Sequence, residues 1–170
     1  MTALYLLEPD SPGAAWAPFA GVRPIAELRA GIWRIRERWE AAAGEDATAL
    51  LGDHAAGFSE SDEPSVQTPR SIEGPALIAA SWFAPTGVPL DPSPGIRRLT
   101  HRHQSVGWLI ASGERWTGPH DQGSALEIEG VLLRGTYDLL TALEQRGVLA
   151  TFDDRLRQAA LAEGVPVQPN

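Results

Sequence analysis

The residues best suited to chemistry stand near the start of the chain. Glu8 and Asp10 follow the apolar run Ala3-Leu4-Tyr5-Leu6-Leu7, and Arg23 immediately precedes Pro24. Open α/β sheets gather ligands at the carboxyl ends of their strands, where two acids could hold a divalent cation through oxygen. An arginine just before a helix N-terminus can grip a phosphate with its planar fork, beside free backbone N–H groups that also favour anions. Trp16, in the same loop, offers an aromatic face to a base or a sugar, as does Trp116 further on. Each residue also has a structural reading. The acids suit turns, Arg23 could pair with Glu27 or Asp10, and the tryptophans could simply pack.

Other chemistries find less support. His101 and His103 would share one face of a strand, with His120 as a third zinc ligand, but such pairs are commonly surface residues. Asp53-His54 lacks a nucleophile in a recognisable motif, and no G-x-S-x-G occurs. All 14 basic residues are arginine. With no lysine, neither P-loop chemistry nor a Schiff base is available. With no cysteine, disulfides and thiolate sites are excluded.

These side chains must be held by a scaffold. The run over 3–7, stopped by Glu8-Pro9 and later Pro12-Gly13, reads as a buried strand and a loop. Pro24 suits the first position of a helix. Ile25, Leu28, Ile32, Ile35 and Trp39 then recur within about 80° of helical arc, predicting one helix over 24–40 that ends at Gly44. Strands are expected over 47–51, 76–83, within 97–111 with Gly107 as a bulge, and over 125–133. The polar stretch 59–70 and the proline-rich 85–95 read as loops. Thr136 is expected to cap a helix over 137–146, and Asp153-Asp154 to open a last one that Gly164 stops. A strand, a helix and a strand at the front make a βαβ unit, hence an α/β fold with a mixed, mostly parallel sheet and flanking helices.

Length and charge bound the rest. A chain of 170 residues is the size of one domain, taken as 1–164 with a tail at 165–170. The net charge of −8 argues against nucleic acid as a partner. No signal peptide and no apolar run long enough to span a membrane are present, so the expected partners include no membrane and the expected compartment is the cytoplasm.

The segment from Leu4 to Glu40 resembles the start of a bacterial and archaeal family of sugar nucleotidyltransferases, related to the glucosamine-1-phosphate uridylyl- and acetyltransferases. The similarity lies in the first strand ending in an acid, the loop carrying Pro18, then Arg23-Pro24, Ala26-Glu27-Leu28-Arg29-Ala30-Gly31 and Ile35-Arg36-Glu37-Arg38-Trp39-Glu40. Gly135-Thr136-Tyr137-Asp138 resembles the helix start that precedes the family's second half, a left-handed β-helix, which would lie beyond this chain.

The resemblance implies a Rossmann-like nucleotidyltransferase sheet and magnesium-dependent nucleotidyl transfer to a sugar 1-phosphate, with nucleoside triphosphate as the other substrate and pyrophosphate as product. Carried onto this sequence, Arg23 is the catalytic candidate. Arg23, Arg29 and Trp16 are candidate substrate contacts, and Glu8 and Asp10 candidate magnesium ligands. A homo-oligomer is compatible with the family. The sequence departs from the pattern in its thin glycine loop, its missing lysine, and Ala79 where the family's strand carries asparagine. The isolated chain is therefore expected to be weak or inactive, and a catalytically silent binding or assembly module of the same fold is the alternative.

Overall fold

The structure, a computed structural model, describes residues 2–60, 62–68, 71–86, 94–120 and 123–140. Seven strands form the central sheet: β1 (Ala3–Leu7), β2 (Ala47–Leu51), β3 (Ser65–Gln67), β4 (Ala76–Ala80), β5 (Ile96–His101), β6 (Gln104–Ile110) and β7 (Ser124–Glu127). Their order across the sheet is β7-β5-β6-β4-β1-β2-β3. β1 pairs in parallel with both β2 and β4, β2 with β3, and β5 with β7. Only β6 runs against its neighbours. The fold is therefore α/β and Rossmann-like, with a mixed, mostly parallel sheet. The carboxyl ends of β1 to β5 and of β7 share one edge with the β5–β6 tip.

The strands are short apolar runs because both faces of the sheet are covered. On one face, Leu4, Leu6, Leu50, Leu77 and Leu109 pack beneath Ile25, Leu28, Ile35 and Trp39. On the other, Leu7, Leu51, Ile78, Trp108 and Ile110 pack with Ile72 and Trp116, which belong to a ribbon pairing Ile72–Glu73 with Arg115–Trp116. The helix α1 (Ile35–Ala43) is pinned by its tryptophan. The Trp39 indole N–H donates to the carbonyls of Ala80 at 3.1 Å and Phe83 at 2.9 Å, fixing the helix to the exit of β4.

The structure corrects the expectation of one helix over 24–40. A 3₁₀ turn (Ile25–Glu27) comes first, then a small hairpin pairing Arg29–Ala30 with Trp33–Arg34, and only then α1. Gly31, at φ +81°, makes the hairpin turn, a conformation open to glycine and costly in a helix. Ile32 at the turn is 54% exposed, whereas the other four residues of the stripe are buried. Gly44, in the left-handed region at φ 70°, caps α1 as expected.

Four further expectations change. The stretch 97–111 is the hairpin β5–β6, whose two-residue tip, Arg102 and His103, has φ of 49° and 67°. Asparagine and glycine are the usual residues at such a tip. A register shift between Ser105 and Gly107 supplies the bulge read at Gly107. A Cβ on Gly107 would stand 2.8 Å from the Ile78 carbonyl oxygen, so only glycine lets β6 approach β4 there. The run 125–133 divides into β7 and a strand Gly130–Leu132 that pairs with Phe83–Pro85 outside the main sheet, and β3 lies within the stretch read as a loop. Thr136 ties the chain to the front loop instead of capping, its hydroxyl donating to the Ala15 and Ala17 carbonyls. The last expected helix, the tail and most of the 137–146 helix lie outside the described residues, as does most of 85–95.

Candidate functional site

Glu8 leaves β1 at the ligand edge, and its side chain is fully buried. One carboxylate oxygen accepts the Ile25 N–H at 2.8 Å and the other the Ala26 N–H at 2.9 Å. Glu8 thus caps the 3₁₀ turn and satisfies two buried donors, each costing about 1–3 kcal/mol if orphaned. Its seat exists because residue 52 is glycine: a Cβ there would stand 2.6 Å from the Glu8 Cβ. His54 Nε2 stands 3.5 Å from the carboxylate without hydrogen bonding to it.

Arg23 does not reach Glu27 or Asp10. Its guanidinium lies over the Phe58 ring and pairs with Glu60 at 2.7 Å and Glu63 at 3.3 Å. From Glu63 the network continues through Arg34 to buried Glu27, then through Arg36 to Glu40. Burial opposes the charge of Arg36, but its bonds to Glu27 and Glu40 outweigh that and raise its pKa. Burial, with the nearby charges and hydrogen bond of Glu27 and Glu60, pushes the Glu63 carboxyl up to about 7, while Arg23 pulls it the other way.

Among the described residues, two clefts open on this edge. The first, about 270 Å³, is lined by Glu8, Asp10, Trp82, Trp116 and Thr117, among others. Trp116 stacks obliquely on Trp108, and its indole N–H is buried without an acceptor. The second, about 310 Å³, is lined by His101, Arg102, Gln104, Arg134 and Asp138 together with the 130–132 strand.

Of the residues singled out from sequence, Glu8 and Asp10 meet at the first cleft, and Arg23, Arg29 and Trp16 do not line it. Trp16 is buried in the core under the sheet. Arg29 is exposed and donates to the Ile32 carbonyl at 2.9 Å, closing its own hairpin. The donor set does not suit a resident magnesium ion. Both oxygens of Glu8 are taken by backbone N–H groups, Asp10 stands alone, and no group of three metal-binding side chains forms among the described residues. His101 ends β5 and His103 sits in the hairpin tip, so the two do not share a strand face.

Sequence reasoning missed Trp82, Glu60, Glu63, Arg102 and Arg134. For Arg102, a two-residue tip between β-branched and aromatic runs was the available signal.

A mixed, mostly parallel α/β sheet with clefts at its carboxyl edge defines the class of Rossmann-like folds. Within that class, the profile of the sugar nucleotidyl transferase family matches residues 5–91, just over half of the chain. The chain belongs to that family. No curated protein matches it. The match spans β1 to β4 and the first cleft's Glu8, Asp10 and Trp82, and ends before β5. No helix among the described residues is long and apolar enough to cross a membrane.

Proposed function

We propose that this domain binds a nucleoside triphosphate at the first cleft, as the nucleotide-binding part of a sugar-phosphate nucleotidyltransferase, and turns over weakly or not at all as this chain alone. The observation that carries the reading is the cleft itself, opening beside the end of β1 between Trp82 and Trp116. Half-buried Trp82 offers a face on which a base can stack, and Thr117 and Asp10 offer polar groups at the wall.

In the transfer, an oxygen of a sugar 1-phosphate attacks the α-phosphorus of the triphosphate, and the bond to pyrophosphate breaks. Such a step depends on positive groups focused on the transferring phosphate. Here the lysine is absent, and Arg23 is neutralised by Glu60 and Glu63. That pairing also favours the second reading, a silent binding or assembly module of the same fold.

Calorimetry with uridine and thymidine triphosphates tests binding. Trp82→Ala should weaken it by about 1–3 kcal/mol, the scale of one base stacked on an aromatic ring. Pyrophosphate release with a panel of sugar 1-phosphates tests turnover. Robust, magnesium-dependent release that disappears in Arg23→Ala would show an active enzyme and return Arg23 to the catalytic role read from the sequence.

A further inference from the structure

The second cleft is built from charges the fold leaves unused. Every other described arginine is engaged in an interaction. Arg102 and Arg134 are the two whose guanidinium groups have no partner among the described residues, and both line this cleft. They arrive from separate elements, Arg102 from the β5–β6 tip and Arg134 from the segment following the 130–132 strand.

Local acids hold the frame and leave these guanidiniums alone. Glu127 accepts the Arg102 backbone N–H at 2.6 Å and the Thr100 hydroxyl at 2.8 Å. Asp138 accepts the Arg134 backbone N–H at 2.6 Å. The tip holds Arg102 and His103 in left-handed conformations that would suit asparagine or glycine. Strain kept at one place is a mark of sites where position matters. The wall is anchored as well: the Leu133 N–H donates to the Trp82 carbonyl at 2.8 Å, and the His101 ring packs on Phe83 at 5.2 Å. The two clefts thus flank one segment, residues 82–83.

We propose that this second cleft binds the phosphate of a sugar phosphate between Arg102 and Arg134, with Gln104 and Asp138 meeting the sugar hydroxyls. Two guanidiniums from different elements can approach a phosphate from two sides, each through paired N–H donors. Gln104 supplies both donors and acceptors, and the free oxygen of Asp138 supplies an acceptor. The sugar rests on the functional reading above; the phosphate grip does not.

Calorimetry on the full chain with glucose 1-phosphate, inorganic phosphate and glucose tests it. Glucose 1-phosphate should bind more tightly than either fragment, and Arg102→Gln and Arg134→Gln should each weaken it about tenfold or more, with circular dichroism unchanged. Trp82→Ala, which reports on the nucleotide cleft, should leave it within about twofold. An unchanged affinity in the double arginine variant, or no binding to the wild type at millimolar concentration, overturns the proposal. Equal affinity for inorganic phosphate and glucose 1-phosphate overturns its sugar assignment. Loss of nucleotide binding in Trp82→Ala with sugar-phosphate binding retained supports both readings as separate sites.

Discussion

Beside β1, Glu8 gives both carboxylate oxygens to backbone N–H groups, and Arg23 is held by two glutamates. Around the second cleft, Glu127 and Asp138 serve the backbone equally well, yet the neighbouring guanidiniums have no partner among the described residues. The same chemistry, acids capping irregular backbone, thus leaves the β1 side with Glu8 and Arg23 both engaged and the second cleft with two cations to offer. The difference follows from depth. Glu8, Glu27 and Glu63 are buried, where an unpaired charge costs several kcal/mol and must find a partner. Arg102 and Arg134 are exposed, where water solvates a guanidinium until a ligand arrives. A folded domain can keep binding capacity only where solvent pays for it meanwhile.

This contrast predicts a graded set of effects. The largest should come from Glu8→Ala, which orphans two buried N–H groups and should destabilise the domain by roughly 2–4 kcal/mol in urea unfolding. A cost under about 1 kcal/mol would mean that the 3₁₀ turn does not depend on this carboxylate, and that Glu8 could be released to a ligand.

The next effect depends on pH. The Glu63 carboxyl is raised in the folded state to about 7, above its unfolded value. Its stabilising contribution is therefore fully present below the unfolded pKa, near 4.3, and is lost as pH rises toward 7. The loss should be on the order of 2–3 kcal/mol. Glu63→Gln should flatten this part of the stability profile; the same slope in wild type and variant would assign it to other groups.

A smaller effect is expected at the tip. His103→Gly relieves a left-handed conformation and should change stability by no more than about 1 kcal/mol, in the stabilising direction. A marked loss of stability would show that the His103 side chain supports the hairpin. Smallest of all, Arg102→Ala should leave the unfolding midpoint nearly unmoved, within about 0.5 kcal/mol. A larger cost would mean that its guanidinium is spent inside the fold after all, and the contrast between the clefts would fail.

Strand periodicity read well because short apolar runs bounded by proline and glycine have few alternatives: β1 and β2 stand as expected, and β4 occupies the front of the run read over 76–83. The helix over 24–40 shows where periodicity misleads. Its spacing fits a single amphipathic helix, and four of its five apolar residues are indeed buried, but from the 3₁₀ turn, the residue that follows it and α1, on either side of a hairpin. Burial constrains which side chains turn inward and leaves the backbone route between them open. The run over 97–111 failed for a related reason, since Arg102-His103 lacks the glycine or asparagine that announces a tight hairpin.

For the site, the sequence by itself determined the family, the edge of the sheet where ligands belong, and the absence of any lysine or thiol. Those are matters of composition and local pattern. Tertiary structure alone decided which charges remain available. Arg23 met Glu60 and Glu63 across about 40 residues of chain, and Arg102 and Arg134 come to one cleft only because the β5–β6 tip and the segment after the 130–132 strand both line it. Pairing between charges is set by distance through space and by burial, and neither is written in the order of residues along the chain.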